Sequence, residues 1–566
     1  MLMRMKASSL SRQIPRRLAR ALVMLAFGMG MQHYLIVRFG LPAHLMSYRG
    51  APVTTAITWL ILAAAVHAFL APLPARRQPP AGRTYLVPAL AVIASALSLP
   101  SIFLLRSFGM DDLDTVATSV MSNDLGSMVS IGLQDFAGLI TEEAVIFGVV
   151  LLSAMALLRS LPGFRIPLVA LLVAAIAISS PARYILATAF PDPAGDLVSV
   201  DDLTPPVIVG TPARKPNIVL IYLESLERTY RDIPATAEAF APIAALEDAG
   251  FSARNVSQIH NTHFSAAGLL ATHCGVPLFP NGLINMHRFK SGEVSRKYGS
   301  AGFLSGITCL GDILKRYGYA GVYMNNSEGS EYAIRDLLLA HGYDEVIGLA
   351  AQGGQIAPEL DNSWGMSDEK LFAAAIGKLA ELDGRGEPFF FSLLNAATHG
   401  PDGFPDSGCT YEGTVLPSHS DSNMPQAIGC TARHVIDLLS AISNLASADN
   451  TIVAILSDHL AMRNTLWPEL TAAGDARRNL FIILDGPEGT DRTVTMRAAT
   501  PLDVFPTLLE AAGFRLENGR ANLGRSLLDE APTLAEILGV DNLSRALTAN
   551  RELRDLAWGR GGAQGN

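Results

Sequence analysis

The chain has 566 residues, a formal net charge of −9 and a composition that is 49% hydrophobic. This length exceeds one ordinary domain, so at least two are expected. The negative charge argues against a nucleic-acid-binding protein, and a mean hydropathy of +0.28 is too high for a purely soluble enzyme.

The apolar excess lies in residues 1–190 and predicts a transmembrane anchor there. Each of five apolar runs is long enough to cross a bilayer core of about 30 Å. They lie near residues 20–37, 54–73, 86–105, 138–158 and 166–189. The fourth run contains Glu142 and Glu143, which are costly in a bilayer unless they lie at an interface or face other helices. We predict about five transmembrane helices; the alternative is that the runs are buried helices of a soluble protein.

Basic residues set the predicted orientation of this anchor. They cluster before the first run, between the second and third, and between the fourth and fifth, whereas residues 107–136 are acidic. The positive-inside rule then places the N-terminus in the cytoplasm and everything after the fifth run outside. A cleavable signal peptide is disfavoured because further apolar runs follow the first.

The four cysteines all lie in the part assigned to the outside: Cys274, Cys309, Cys409 and Cys430. An even number in an exported domain indicates two disulfides. Three pairings are possible, and we favour the local ones, Cys274–Cys309 and Cys409–Cys430. A zinc site is poorly supported because the chain has no CxxC pair.

Residues 191–215 are rich in Pro and Asp and predict a linker, followed by a catalytic domain over 216–545 and a flexible tail over 546–566. Within 216–545 strand-like and helix-like runs alternate. The predicted strands are 217–223, 319–324, 389–395, 451–457 and 480–484; the predicted helices are 234–248, 265–273, 309–317, 367–382, 431–447 and 503–513. This alternation predicts an α/β domain with a mainly parallel sheet covered by helices on both faces.

Metal-seeking side chains follow two of the predicted strands. Glu224 comes directly after IVLIYL, and Asp458 with His459 follows TIVAILS. The carboxyl ends of parallel strands are where such sheets bind ligands, and this donor set suits a hard divalent cation. The competing interpretations are a helix cap for Glu224 and a purely structural Asp-His dipeptide.

A hydroxyl nucleophile is expected in HNTHFSAAGLLATHCG, residues 260–275. Ser265 begins a helix of small residues, where the free amides and dipole stabilise an alkoxide or a phosphate. Thr262 is the competitor, and an ordinary N-cap is the structural alternative. We interpret His260, His263 and His273 as local structure rather than ligands.

Two further side chains have possible roles at such a site. His399 follows the apolar strand FFFSLLN and could donate a proton to a leaving group or a hydrogen bond to a phosphoryl group. Trp364 could stack on a sugar or glycerol group, although a core position is an equal alternative.

At these residues the chain resembles the phosphoglycerol transferase I family of osmoregulated periplasmic glucans, which is related to lipoteichoic acid synthase within the alkaline phosphatase/sulfatase superfamily. The similar motifs are YLESLERTY, AAGLLATHCGVPLF, CLGDILKRYGY, WGMSDEKLF, ATHGPDGF and SDHLAMRNTLWPEL. The resemblance covers about 216–530 and implies an alkaline-phosphatase/sulfatase-like sandwich, in the periplasm on a multi-pass bacterial inner-membrane anchor.

Carried over to matching positions, the resemblance implies that Glu224, Asp458, His459 and the Ser265 hydroxyl bind one divalent ion, Mn²⁺ before Mg²⁺ or Zn²⁺. It implies that Ser265 is the nucleophile and that His399 binds substrate. This chain departs from the family at the nucleophile, since it has NTHFS where the family has Thr in a GxGWT-like stretch. No CxPxR sequence is present, which disfavours formylglycine sulfatase chemistry.

The implied function is transfer of phosphoglycerol from phosphatidylglycerol in the bilayer to a periplasmic glucan, through a covalent Ser or Thr intermediate and with release of diacylglycerol. Two enzyme alternatives are a phosphoethanolamine transferase and a phosphodiesterase of the same superfamily. A third alternative, of another class, is a non-catalytic glucan- or lipid-binding protein.

Overall fold

The computed structural model describes residues 14–29, 165–190, 192–279, 304–326, 332–348, 365–406, 409, 423–484 and 493–559, with scattered residues within 89–97 and 145–153. The chain divides into two compact units. One contains residues 1–116 and 132–190, and the other contains residues 117–131 and 191–566.

In the first unit, residues 14–29 are helical, and two helices end the unit: α1 (Arg165–Ile178) and α2 (Ser180–Ala189). The helix is interrupted at Ser179, whose backbone is extended. The Ser179 hydroxyl donates to the carbonyl of Ile176 (2.7 Å). Among the described residues, no single helix is long and apolar enough to cross a membrane, and only α1 and α2 together, bent by 67°, meet that test. The predicted spans other than 166–189 lie wholly or partly outside the described residues.

The second unit is built on an eight-stranded sheet. The strands of the unit are β1 (Ile208–Gly210), β2 (Asn217–Leu223), β3 (Phe251–Ala253), β4 (Ala320–Asn325), β5 (Glu345–Ile347), β6 (Phe389–Leu394), β7 (Thr451–Ser457), β8 (Phe481–Leu484), β9 (Val494–Thr495), β10 (Arg515–Leu516), β11 (Arg520–Ala521) and β12 (Gly524–Arg525). The order in the large sheet is β5-β4-β6-β2-β7-β8-β3-β9, with β1 paired to β10 and β11 to β12 in two small sheets. Strands β5, β4, β6, β2 and β7 run parallel, whereas β8 is antiparallel to β7 and β3. The predicted mainly parallel sheet is confirmed.

Helices cover both faces of the sheet. They are α3 (Ala237–Glu247), α4 (Ser265–Cys274), α5 (Leu310–Arg316), α6 (Tyr332–Ala340), α7 (Asp368–Arg385), α8 (Met424–Ser443), α9 (Trp467–Ala472), α10 (Val504–Ala511), α11 (Leu534–Leu538), α12 (Val540–Ala549) and α13 (Arg551–Ala557). Alternate residues of β2 enter opposite cores, since Ile218 and Leu220 pack with α4 and α10, whereas Val219 and Ile221 pack with α3 and α8. Burial on both faces explains why the central strands are continuous apolar runs.

The two ends of this unit differ from the sequence predictions. The linker predicted over 191–215 is packed onto the domain, because β1 joins β10 and the Asn550 side chain donates to the carbonyls of Gly195 and Val198 (3.1 and 2.6 Å). The tail predicted to be flexible from 546 is helical in α12 and α13, and Leu553 is fully buried. Amphipathic spacing, with Leu543 and Leu547 inward, stabilises these helices despite their polar composition.

Two disulfides link helices to neighbouring segments. Cys274 at the end of α4 bonds to Cys309 at the start of α5, and Cys409 in the loop after β6 bonds to Cys430 in α8. Both predicted local pairings are confirmed.

Candidate active site

The site lies where β2 and β7 end. These strands pair in parallel with Leu223 opposite Ser457, so the next residues, Glu224 and Asp458, leave the sheet side by side. The hydrogen-bonded register therefore brings together two carboxylates that lie more than two hundred residues apart in the chain.

Glu224, Asp458 and His459 form a cluster that could hold a metal ion, termed here the metal-ligand cluster. One ligand atom from each lies within 4.8 Å of the others, and the three residues are 3%, 1% and 1% exposed. The His459 Nε2 atom is 3.3 Å from Glu224 Oε1 and 3.3 Å from Asp458 Oδ2. Charged groups with this little exposure need a compensating partner.

Unpartnered atoms in the cluster indicate what that partner is. Asp458 Oδ2 and His459 Nε2 are buried without a hydrogen-bond partner. The other ring nitrogen, Nδ1, lies 2.8 Å from the carbonyl of Leu460 and therefore donates to it. In the neutral ring this leaves the Nε2 lone pair facing two carboxylates, the tautomer found in metal-binding histidines. The residues fit a divalent cation such as Mn²⁺, Mg²⁺ or Zn²⁺.

The electrostatics of the cluster agree with this fit. Burial lowers the pKa of His459, but Asp458 and Glu224 outweigh it and raise the pKa to about 9. Burial and the charge of Glu224 raise the pKa of Asp458 well above its ordinary value. Burial opposes ionisation of Glu224, yet the rings of His459 and His399 hold its pKa well below the ordinary range. An imidazolium thus supplies positive charge where a metal ion would.

The hydroxyl of Ser265 reaches this cluster. It is the first residue of α4, and its Oγ donates to Glu224 Oε2 (2.9 Å). Helix α4 approaches β7 closely because residue 268 is glycine; a Cβ there would lie 1.9 Å from the backbone oxygen of Asp458. The start of a helix also offers free N–H groups to a phosphate.

Thr262 is placed differently. Its side chain is fully buried, and its Oγ1 donates to the carbonyl of Ile259 (2.7 Å) and accepts from the N–H of Ile259 (3.3 Å). The hydroxyl therefore closes a local turn before α4. Of the two candidate hydroxyls, the structure brings Ser265 to the carboxylate.

His399 lies beside the cluster, on the loop after β6. Its Nε2 is 4.0 Å from Glu224 Oε1, and its Nδ1 donates to the carbonyl of Gly400 (2.8 Å). Burial lowers its pKa below the ordinary value, although Glu224 opposes the shift. The loop is joined to the cluster by the Thr398 hydroxyl, which donates to the carbonyl of Glu224 (2.5 Å).

Trp364 lies outside the described residues. His260 stacks edge-on with His263, and the backbone N–H of His260 donates to Ser544 (2.9 Å). His273 is buried in a network of tyrosine and histidine side chains.

This tyrosine–histidine network consists of Tyr222, Thr272, His273, Tyr343 and Ser392. Nδ1 of His273 donates to the carbonyl of Leu269 (2.8 Å), so Nε2 accepts from the Tyr343 hydroxyl (2.7 Å), which accepts from Ser392 (2.6 Å). Tyr222 donates to Thr272 (2.8 Å), whose hydroxyl donates to the carbonyl of Gly268 (2.9 Å). Burial lowers the pKa of His273 to about 4, so the ring is neutral.

The residues that support Glu224 were not predicted from the sequence. Its backbone N–H donates to Asn395 Oδ1 (2.7 Å), and the Asn395 amide donates to buried Asp368 (2.7 Å). Asp368 also accepts from the N–H groups of Ala396 and Ala397 (3.1 and 3.2 Å), at the start of the His399 loop. The only local signal is that Asn395 ends an apolar strand and Asp368 begins a helix.

A buried ion pair holds the loop after His459. Glu227 accepts from the N–H of Ala461 (2.8 Å) and from Nε of Arg477 (3.0 Å). The same guanidinium donates to the carbonyl of Ala461 (2.6 Å) and lies 5.2 Å from the centre of the Trp467 ring. The loop that carries His459 is therefore tied to the turn that carries Glu224.

A second group, Cys309, Asp312 and His341, also has its ligand atoms within 4.8 Å. Its cysteine sulfur is bonded to Cys274, and its imidazole Nδ1 is 2.8 Å from Asp312 Oδ2. The disulfide leaves this group without a thiolate ligand.

A mainly parallel sheet between helical layers, with carboxylates and an imidazole at the ends of two central strands and a hydroxyl at the start of a neighbouring helix, defines an alkaline-phosphatase/sulfatase-like domain. The family model described as Sulfatase matches residues 216–514, more than half of the chain, and the chain belongs to that family.

The expected resemblance to phosphoglycerol transferase I is confirmed. The chain is 32% identical over 326 residues to that protein of Citrobacter koseri and 32% identical over 322 residues to that of Escherichia coli O127:H6. These matches cover 57% and 56% of this chain but only 40% and 39% of the relatives.

Solved structures to which this chain is similar include the lipoteichoic acid synthase LtaP from Listeria monocytogenes, at 16% identity and a TM-score of 0.47, covering 64% of this chain and 98% of that one. An alkaline phosphatase superfamily protein from Vibrio parahaemolyticus has 18% identity and a TM-score of 0.44, covering 61% of this chain and 76% of that one.

Proposed function

We propose that this chain is a membrane-anchored transferase that moves phosphoglycerol from phosphatidylglycerol to a periplasmic glucan and releases diacylglycerol. The observation that carries the proposal is the hydrogen bond from Ser265 to Glu224, inside a buried cluster with unpartnered ligand atoms. Relatives named phosphoglycerol transferase I support the choice of transferred group.

In the first step, Ser265 Oγ attacks the phosphorus of the lipid head group, and its proton passes to Glu224, the group to which it already donates. The bond from phosphorus to the diacylglycerol oxygen breaks. Diacylglycerol leaves with a proton, and Ser265 carries glycerophosphate. Protonated His399 is placed to supply that proton through Nε2, since its Nδ1 is held by the carbonyl of Gly400.

In the second step, a glucan hydroxyl attacks the same phosphorus and loses its proton to neutral His399. The Ser265–phosphorus bond breaks, and Ser265 recovers its proton from Glu224. The N–H groups at the start of α4 would donate hydrogen bonds to the phosphoryl oxygens in both steps.

Glu224, Asp458, His459 and the Ser265 hydroxyl would hold the divalent ion, with Mn²⁺ as the preferred candidate. When bound, such an ion supplies Lewis acidity and lowers the pKa of the Ser265 hydroxyl.

We also propose that the chain lies in the bacterial inner membrane with the catalytic domain in the periplasm. A lipid donor in the same bilayer, the apolar runs in residues 1–190 and the two disulfides support this placement.

The experiment is an assay of the purified full chain with vesicles of defined phospholipids, a glucan acceptor and Mn²⁺. We expect diacylglycerol release from phosphatidylglycerol and a glycerophosphate increment on the glucan. Ser265→Ala should release none, whereas the matched variant Thr262→Ala should remain active. Turnover of phosphatidylethanolamine alone, or no turnover of either lipid, would contradict the proposed donor.

A further inference from the structure

Ser225, directly after Glu224, contacts both carboxylates of the metal-ligand cluster. Its hydroxyl donates to Glu224 Oε1 (2.8 Å), and its backbone N–H donates to Asp458 Oδ1 (2.9 Å). The residue is 3% exposed, so bulk water does not compete for these bonds. One residue therefore occupies one oxygen of each carboxylate.

The backbone conformation of Ser225 makes this double contact possible. Its φ of 55° lies in the left-handed region, which residues other than glycine adopt rarely. The turn is closed by Leu226 N–H donating to the carbonyl of Leu223 (3.2 Å) and Glu227 N–H donating to that of Ser225 (3.0 Å). The turn reverses the chain after β2, and the N–H of Ser225 points across to the residue that follows β7.

The contacts of Ser225 do not involve the second oxygen of either carboxylate. Asp458 Oδ2 has no hydrogen-bond partner, and Glu224 Oε2 accepts from Ser265. The two buried carboxylates repel each other, because their ligand atoms lie within 4.8 Å. A hydrogen-bond donor fixed on one oxygen of each restricts the rotation of both carboxylate groups.

We propose that Ser225 is a positioning residue that presets the two carboxylates of the cluster for a divalent cation. The inference rests on the metal centre proposed above and assigns its geometry to a residue that is not itself a ligand. The hydroxyl is the part of Ser225 that a substitution can remove, because the N–H belongs to the backbone.

The test measures Mn²⁺ binding to the full chain by isothermal titration calorimetry, for the native chain, Ser225→Gly and Ser225→Ala. Glycine is favoured at a φ of 55°, so Ser225→Gly should fold while lacking the hydroxyl. We expect both variants to bind Mn²⁺ about tenfold more weakly or worse, within the range for lost outer-sphere contacts. At saturating Mn²⁺, kcat should be close to that of the native chain.

The matched control is Asn518→Gly, which relieves the same φ of 55° elsewhere in the domain and should leave Mn²⁺ affinity unchanged. Native Mn²⁺ affinity in Ser225→Gly would overturn the inference. This holds even if Ser225→Ala binds Mn²⁺ more weakly, because backbone strain in the alanine variant would then explain its weaker binding. A native chain that does not bind Mn²⁺ would instead contradict the proposed metal centre.

Discussion

Two buried polar clusters lie close together in this domain, and they are built in opposite ways. In the tyrosine–histidine network each side-chain polar atom has a hydrogen-bond partner, and the pKa of its histidine, His273, falls to about 4. In the metal-ligand cluster two buried atoms have no partner, and the pKa of His459 rises to about 9. Tyr222 and Glu224, one in each cluster, are only two residues apart.

From this difference we expect the tyrosine–histidine network to serve stability and the metal-ligand cluster to serve the proposed chemistry. A network in which every polar atom is hydrogen-bonded needs no additional ligand or charge, and it holds the neutral ring of His273 in a single tautomer. A cluster with two carboxylates and an unpartnered imidazole nitrogen requires a cation, either a proton on His459 or a metal ion. Loss of a residue should therefore cost stability in the first cluster and activity in the second.

The largest expected effect is on activity, from Glu224→Gln. In the proposed mechanism this change removes a metal ligand and the acceptor of the Ser265 proton, so we expect diacylglycerol release to fall by about 10³-fold or more. Chelation of the native chain should have a similar effect, reversed by added Mn²⁺. The control is Glu345→Gln, a half-exposed carboxylate on β5, which should remain active. Native-like turnover in Glu224→Gln would show that the cluster is not catalytic.

A smaller effect, on stability, is expected for Tyr343→Phe. The change leaves His273 Nε2 and the Ser392 hydroxyl without their buried partner, which should cost about 1–3 kcal/mol. Thermal unfolding followed by circular dichroism measures the loss, and kcat should stay near the native value. The control is Tyr317→Phe, whose ring packs on Phe514. If Tyr343→Phe abolished turnover without lowering stability, the division between the two clusters would be wrong.

A further effect on stability is a pH dependence that comes from His273. Its pKa is about 4 in the folded chain against 6.5 ordinarily, so the unfolded chain binds more protons between these values. The contribution of His273 to the free energy of unfolding is fully present above pH 6.5. It is lost as the pH falls towards 4, by about 3 kcal/mol in total. The measurement is the difference in free energy of unfolding between the native chain and His273→Gln, because other groups titrate in both proteins and their effects cancel. This difference should narrow as the pH falls. A constant difference would contradict a neutral buried ring.

Much of the fold was accessible from sequence because its strands are buried on both faces. The runs at 217–223 and 451–457 have the bounds of β2 and β7, and the polar residues directly after them mark the sheet edge. The helix beginning at Ser265 was also predictable, since small residues follow it.

The supporting residues were not accessible, because their partners are distant in the chain. Asn395 contacts Glu224 across 171 residues, and Arg477 contacts Glu227 across 250. Likewise, residues 546–559 are polar in composition but amphipathic in pattern, and the stability of their helices depends on the surface that the apolar face covers. The choice between Ser265 and Thr262 required the turn geometry that buries the threonine hydroxyl.

The central claim is that Ser265 becomes covalently modified during transfer. The direct measurement is peptide mass spectrometry of the full chain, quenched in acid after brief exposure to phosphatidylglycerol and Mn²⁺ without glucan. We expect a glycerophosphate adduct that is localised to Ser265 and is absent from Ser265→Ala. An adduct on Thr262, or diacylglycerol release with no adduct on any residue, would contradict it.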